Sequence, residues 1–279
     1  MIVVTGATGN VGRPLVRMLA ASGEQVIAVS RGLPADLPHG VRHVAADLAQ
    51  PRAVATAFDG ADRLFLLLAP GALSTDVPEL LRAARAGGVG RVVLLSSQGV
   101  ATRPDSPSHG QFGKQVETAV QNSGLEWTIL RPSGFHSNAA MWAEQVRGQR
   151  TVSAPFGDVA IPFVDPEDIA AVAAAALRQP DHVGRTYVLT GPIPESPRDR
   201  VRVLAETLGE PVRFVDQTPE QARTALRTVM PADAADTTLA ILGAPTAEEL
   251  QVSGDVAAVL GRPPQPFAAW ARRSIDMFR

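Results

Sequence analysis

The sequence has no cysteine among its 279 residues. That absence removes disulfides, thiolate nucleophiles, cysteine-ligated zinc and iron–sulfur clusters. Histidine occurs five times without close pairing, so no metal site is expected. Tyrosine occurs once, at Tyr187. Neither charge sign dominates: the net charge is −2 and charged residues make up 19%. This balance gives no electrostatic case for nucleic acid or an anionic membrane surface. The densest arginine groups (Arg198, Arg200 and Arg202; Arg272 and Arg273) are too small for a binding stripe. The longest apolar runs, 64–70 and 169–177, are too short to span a bilayer. The first residues enter a strand directly, with no basic stretch, apolar segment and cleavage site. The expectation is a soluble, cytoplasmic protein acting on a small molecule, with a homodimer left open.

Apolar residues are plentiful at 45%, enough for a large core. Apolar runs alternate with amphipathic stretches. Strands are expected at 2–5, 25–30, 41–45, 63–68, 91–96, 127–130 and 185–190. Helices are expected at 13–22, near 51–58, and at 77–86, 112–123 and 165–178. Strands with little polar alternation, spaced by helices, predict an α/β protein with a doubly wound parallel sheet of Rossmann type. A loop-rich insertion at about 133–162, with a short helix around 139–147, is expected on the substrate side. Residues 1–190 are read as the dinucleotide-binding core, and 191–279 as a smaller, largely helical C-terminal substrate or lid region.

The chemistry begins at the first turn, where Gly6, Gly9 and Gly12 recur at three-residue spacing between a β-branched strand and an amphipathic helix. The first glycine permits a tight turn, the second keeps side chains away from a pyrophosphate, and the third allows close helix–strand packing. The helix N-terminus then faces the phosphates. Thr5, Thr8, Asn10 and Val11 complete this cofactor-binding turn. The second strand ends at Ser30 and Arg31, where an acid would select the ribose hydroxyls of NAD. A guanidinium suits a 2′-phosphate, so NADP(H) is favoured over NAD(H). Arg31 also reads as a solvated loop residue. Asp47 and Leu48 are placed at the adenine edge, and Ala69 and Pro70 at the nicotinamide side.

The run Thr5-Gly6-Ala7-Thr8-Gly9-Asn10-Val11-Gly12 resembles the atypical short-chain dehydrogenases/reductases, and among them the NmrA-like NAD(P)-binding group. Leu94-Leu95-Ser96-Ser97, Leu125–Pro132 and Phe163–Ala170 extend the likeness down the chain. The run Gly261–Pro264 before a final helix is similar to the C-terminal region of group members. The resemblance implies a Rossmann fold and either an oxidoreductase or a nucleotide-binding redox sensor. Standard members use Ser, Tyr and Lys, the Tyr standing four residues before the Lys. Here Lys114 fits and Ser96 or Ser97 fills the Ser place, but Gly110 stands where the Tyr is needed. The stretch from Phe112-Gly113-Lys114 to Pro132-Ser133-Gly134-Phe135 resembles isoflavone-reductase-like enzymes. These also lack the Tyr, and a Lys on this helix acts as base or polarises the substrate. The resemblance thus points to Lys114 as catalytic and as a ribose contact, although spacing alone reads it as a solvated helix lysine.

His109 offers a substitute proton donor, since imidazole titrates near neutrality; it equally reads as an exposed loop histidine. His136 is a second candidate of the same kind on the substrate side, and Asn138 a residue to hydrogen-bond the carboxamide or the substrate. Phe135, Met141, Trp142, Phe156 and Phe163 are candidates to wall an apolar, flat substrate, or to form a core between the two regions. Pro132 borders the cofactor, and Gln98 is a further polar candidate there. Glu117 reads as a helix-surface residue and Glu126 as a turn residue. Three functions stay open: an NAD(P)H-dependent reductase of a small quinone, carbonyl or conjugated alkene; a non-catalytic NADP(H) sensor; and an isomerase or cyclase that retains the nucleotide.

Overall fold

The computed structural model describes residues 1–32, 36–68 and 74–279, without the side chains of residues 51 and 52. The strands are β1 (Ile2–Thr5), β2 (Val26–Ser30), β3 (Arg42–Ala45), β4 (Arg63–Leu67), β5 (Arg91–Leu95), β6 (Glu126–Pro132), β7 (Thr151–Ala154), β8 (Arg185–Leu189) and β9 (Arg213–Asp216). The helices are α1 (Gly12–Ala21), α2 (Pro51–Val54), α3 (Val77–Ala86), α4 (Gly99–Thr102), α5 (Phe112–Gln121), α6 (Ala143–Gln149), α7 (Pro166–Arg178), α8 (Pro197–Leu208), α9 (Pro219–Leu226), α10 (Ala232–Gly243), α11 (Asp255–Leu260) and α12 (Phe267–Ser274). The chain divides into two compact units. The first comprises Met1–Val100, Phe112–Arg131 and Pro166–Val188; the second comprises Ala101–Gln111, Pro132–Asp165 and Leu189–Arg279.

The first unit is built on a seven-stranded sheet of order β3-β2-β1-β4-β5-β6-β8, as a doubly wound sheet requires. The pairs from β3 through β6 all run parallel. Alternate residues serve opposite faces. Val3, Ile27, Leu64, Leu66, Val92 and Leu94 pack with Leu80, Leu81 and Ala84 of α3 and Val116 and Val120 of α5. The intervening Ile2, Val4, Phe65 and Val93 are fully buried too. This is why these strands read as unbroken apolar runs. Asp76 caps α3, its carboxylate accepting the Glu79 N–H at 2.9 Å, with Pro78 in the first turn, where no N–H is needed.

The second unit holds a separate two-stranded parallel sheet, β7 with β9, which the sequence reading did not expect. Both strands have only four residues, too few to establish a period. Its core gathers Trp142, Val146, Val152, Val201, Leu204, Phe267, Trp270 and Phe278. Helix α8 starts at a reciprocal cap between Ser196 and Asp199 and stops at Gly209, whose φ is 73°. The helix expected around 139–147 begins earlier, as a 3₁₀ segment from His136 to Trp142 that continues as α6. The helix expected near 51–58 is shorter, α2 followed by a 3₁₀ turn over Ala55–Ala57.

Candidate nucleotide and active site

The turn after β1 has the shape its glycines imply. Gly6 has φ 63°, a left-handed conformation that glycine adopts without steric penalty. The Gly9 N–H donates to the Gly6 carbonyl at 2.9 Å. A Cβ at Gly12 would stand 2.1 Å from that same carbonyl oxygen, so no side chain fits there. Thr8, Gly9 and Asn10 are exposed, while Val11 is buried beneath them. No side chain caps α1 and its first turn has no acid. A helix N-terminus left in this state favours an anion. The cradle therefore fits a pyrophosphate. Thr5 contributes differently: its hydroxyl accepts the Leu67 N–H at 2.8 Å and faces the carbonyls of Phe65 and Leu67 at 3.1 Å, stitching β1 to β4.

At the end of β2, Ser30 is buried and Arg31 is exposed. The Ser30 hydroxyl donates to the Gly32 carbonyl at 2.7 Å and lies 2.9 Å from His43 Nε2. Its single proton is thus already committed, leaving Arg31 as the donor-bearing side chain of that turn. Asp47 is exposed, and its carboxylate accepts the Ala49 N–H at 3.0 Å, with Leu48 half-buried beside it. Ala69 and Pro70 lie outside the described residues.

Beyond β5 and β6 the structure assembles a network that the sequence reading did not anticipate. Glu117, read from sequence as a surface residue, is only 1% exposed. It sits on the inward side of α5, with Val116 and Val120. Its carboxylate takes a two-pronged ion pair from Arg131, at 2.9 Å from Nε and 2.6 Å from Nη2. Ser96 donates to the same carboxylate at 2.6 Å. The signal available in the sequence was the spacing of Glu117 from Val116 and Val120, which puts it on the buried stripe of the helix.

Lys114 lies one turn before Glu117 on α5 and is exposed, with no hydrogen bond or ion pair among the described residues. It is also the single lysine of the chain; the other basic residues that make up the total of 26 are arginines. The lone Tyr187 is bound elsewhere, its hydroxyl 2.8 Å from His182 Nδ1. His182 Nε2 donates to the Gln179 Oε1 at 3.1 Å, so Nδ1 accepts the tyrosine proton.

In the second unit, His109 lies in a π-helical turn over Pro107–Gln111. Its Nδ1 is 2.9 Å from Ser108 Oγ. Burial pushes its pKa down, against the pull of Asp233 and Glu249. A depressed pKa favours neutral imidazole near neutral pH, which weakens the case for it as a cationic acid. The same segment is anchored by Glu249, which receives Arg103 at 2.6 Å and Thr102 at 2.8 Å. Burial alone would raise the Glu249 carboxyl, but Arg103, the Thr246 N–H and Thr102 hold it below its ordinary value.

The candidate substrate residues take separate places in that unit. Phe135 is half-buried and Asn138 exposed. His136 is fully buried, edge-on to Phe267 with ring centroids 5.4 Å apart. Trp142 belongs to the core, Phe156 packs on the small cluster of Ala222, Leu226, Ala235 and Leu239, and Met141 is exposed. Phe163 and Trp142 hold the guanidinium of Arg200 at 4.1 and 5.2 Å from their ring centres. Pro132 is buried, and the adjacent Ser133 hydroxyl donates to the Pro162 carbonyl at 2.7 Å. Gln98 is buried in the first unit. No group of three or more His, Cys, Asp or Glu is placed to hold a metal among the described residues, nor is any helix there long and apolar enough to cross a membrane.

Comparison with known proteins agrees with the glycine turn. Residues 6–180 match the family model described as NAD(P)H-binding. The chain is 35% identical over 289 residues to a (4-alkanoyl-5-oxo-2,5-dihydrofuran-3-yl)methyl phosphate reductase of Streptomyces griseus, covering 100% of this chain and 99% of the relative. It is 34% identical over 286 residues to an NAD(P)H azoreductase of Xenophilus azovorans, again covering 100% and 99%. The solved structure of an NADPH-dependent quinone oxidoreductase of Escherichia coli complexed with NADPH shares the fold, with 23% identity, a TM-score of 0.78 and coverage of 98% of this chain and 99% of that one. Turn geometry, family match and full-length relatives converge: the chain belongs to the NAD(P)H-binding family.

Proposed function

We propose that the protein is an NADPH-dependent reductase that passes hydride to a small apolar acceptor, a quinone, carbonyl, conjugated alkene or azo compound. Bound NADPH supplies the hydride, and the chain supplies position and charge. The Gly6–Gly12 turn holds the pyrophosphate. Arg31 pairs with the 2′-phosphate through its fork of donors. Lys114 binds the ribose and steadies the negative charge that develops on the acceptor.

The observation that carries the catalytic assignment is that Lys114 is the single lysine. Wherever the chain needs only a cation, it uses arginine. An ammonium differs in being compact, in having three rotatable donors and in losing its proton far more readily. Its place on α5, exposed and without a partner among the described residues, supports a task that a guanidinium cannot perform. The names of both full-length relatives, each a reductase, support the reaction class. The reading places the protein in the cytoplasm, acting on a free small molecule. Sedimentation at micromolar concentration reports whether it does so as a monomer or a homodimer.

The test follows NADPH absorbance with a panel of quinones, carbonyls and azo dyes. Lys114→Ala is expected to lower kcat/KM by about 10²–10³-fold, the range for losing one stabiliser of developing charge. Lys114→Arg keeps the charge and is expected to lose at least about tenfold, because the two heads are not interchangeable. Wild-type rates in Lys114→Arg would overturn the assignment of Lys114. Tight NADPH binding with no acceptor turned over would replace the reductase by a nucleotide sensor, and product without net NADPH loss by an isomerase. Arg31→Ala is expected to weaken NADPH by about tenfold or more while leaving NADH unchanged, the scale of one charged hydrogen bond.

A further inference from the structure

Arg31 is flanked by hydrogen bonds that fix its backbone while its side chain is in solvent. Ser30 reaches across it to the Gly32 carbonyl at 2.7 Å. The Ser30 carbonyl in turn accepts the Ala46 N–H at 3.1 Å. The third member is His43 on the neighbouring strand β3, with Nε2 2.9 Å from Ser30 Oγ. A hydroxyl has one proton, and the Gly32 carbonyl can only accept. The serine proton therefore goes to Gly32, and His43 Nε2–H donates to the serine oxygen. His43 thus locks the rotamer in which Ser30 closes the turn around Arg31. Register supports this placement: β3 runs parallel to β2 with His43 opposite Ala28 and Ala45 opposite Ser30.

We infer that His43 is a specificity-determining positioning residue, which holds the Ser30–Gly32 turn so that Arg31 meets the 2′-phosphate of NADPH. The inference rests on the reading of Arg31 given above. Rigid presentation favours binding because the loop need not be ordered when the ligand arrives. The lock acts on the one contact that NADH lacks. Its removal should therefore change the choice between the nucleotides, not the grip on both.

The experiment measures NADPH and NADH dissociation constants by calorimetry for full-length wild type, His43→Leu, His43→Gln, Ser30→Ala and Arg31→Ala, with thermal midpoints alongside. His43→Leu and Ser30→Ala are each expected to weaken NADPH by about 5–10-fold and NADH by less than about twofold, the scale of one lost hydrogen bond. His43→Gln keeps an N–H at comparable reach and is expected to restore most of the preference. In the double variant His43→Leu/Arg31→Ala the effects should not add, since both act through one contact. Equal weakening of both nucleotides, or none, overturns the inference. So does failure of His43→Gln to restore the preference, which would indicate direct phosphate contact. If Arg31→Ala itself leaves the preference unchanged, the Arg31 reading falls first. If Arg31→Ala abolishes it and His43→Leu does not, only the lock falls.

Discussion

Glu117 with Arg131 in the first unit, and Glu195 with Arg200 in the second, set a buried carboxylate near a guanidinium in two different ways. In the first unit, Glu117 and Arg131 meet in a two-pronged contact, and Ser96 adds a third hydrogen bond to the carboxylate. In the second, Glu195 and Arg200 are 7% and 4% exposed, yet Glu195 Oε2 and Arg200 Nε meet no partner among the described residues. Arg200 is held instead by the faces of Phe163 and Trp142. Burial pushes its pKa down to about 10, against the pull of Glu195, so it keeps its charge at neutral pH. Removing charges from water is repaid only when geometry and remaining hydrogen bonds are good. The first pair meets that condition and ties α5, which carries Lys114, to the ends of two strands. The second meets it only in part and draws its support from aromatic faces, each worth about 0.5–2 kcal/mol.

The sharpest way to break this contrast is Glu117→Ala. It leaves Arg131 and Ser96 without their shared acceptor and is expected to destabilise by roughly 3 kcal/mol, the lower part of the range for orphaning a buried pair, because Arg131 retains some solvent. Urea unfolding measures it, and a loss below about 1 kcal/mol would show the network to be dispensable. Next in size is replacement of the whole second pair. Glu195→Leu with Arg200→Met removes both incompletely paired charges and keeps apolar volume between Phe163 and Trp142. Its expected effect is neutral to stabilising by about 1 kcal/mol, as for other buried pairs exchanged for apolar residues. The same exchange at Glu117 and Arg131 strands Ser96 and is expected to destabilise. Equal responses at the two sites would erase the distinction.

The units also differ in how much their sequence revealed. The bounds of α3 are those its pattern predicted, and the strands from β1 to β5 fall within one or two residues of expectation, because β1, β2, β4 and β5 are mostly apolar runs bounded by turns. The glycine turn was readable because each glycine answers a local steric demand. Glu117 was not, because its role depends on Arg131 and Ser96, which reach it only through the sheet. The second unit was less legible. Its strands β7 and β9 are four residues each, from chain segments some sixty positions apart. Its aromatics read equally as a substrate wall or as a core, and tertiary packing distributes them between a core, a small cluster and the faces of Arg200. Periodicity carries no information about any of these contacts.

The smallest expected effect is in the pH dependence of stability. Burial raises the Glu195 carboxyl above the ordinary glutamate value of 4.5, opposed by Arg200 and the Phe267 N–H. A carboxyl raised on folding holds its proton longer in the folded chain than in the unfolded one. Its contribution is fully present below the unfolded value and is lost as pH rises through the folded value. Glu249, Asp62, Asp199 and Asp236 are lowered instead, so their contributions fall away on the acid side. His109 and His182 are lowered by burial, so they add stability as pH rises through the ordinary imidazole range. The wild-type curve therefore mixes opposing slopes. Subtracting it from the curve for Glu195→Leu/Arg200→Met cancels every group common to both. The advantage of the double variant should grow as pH rises from about 4.5 toward neutrality, because the wild type must ionise Glu195 in a site that gives one of its oxygens no partner. A flat difference across that window would mean that Glu195 ionises as readily folded as unfolded, and the contrast between the two pairs would then rest on hydrogen bonding alone.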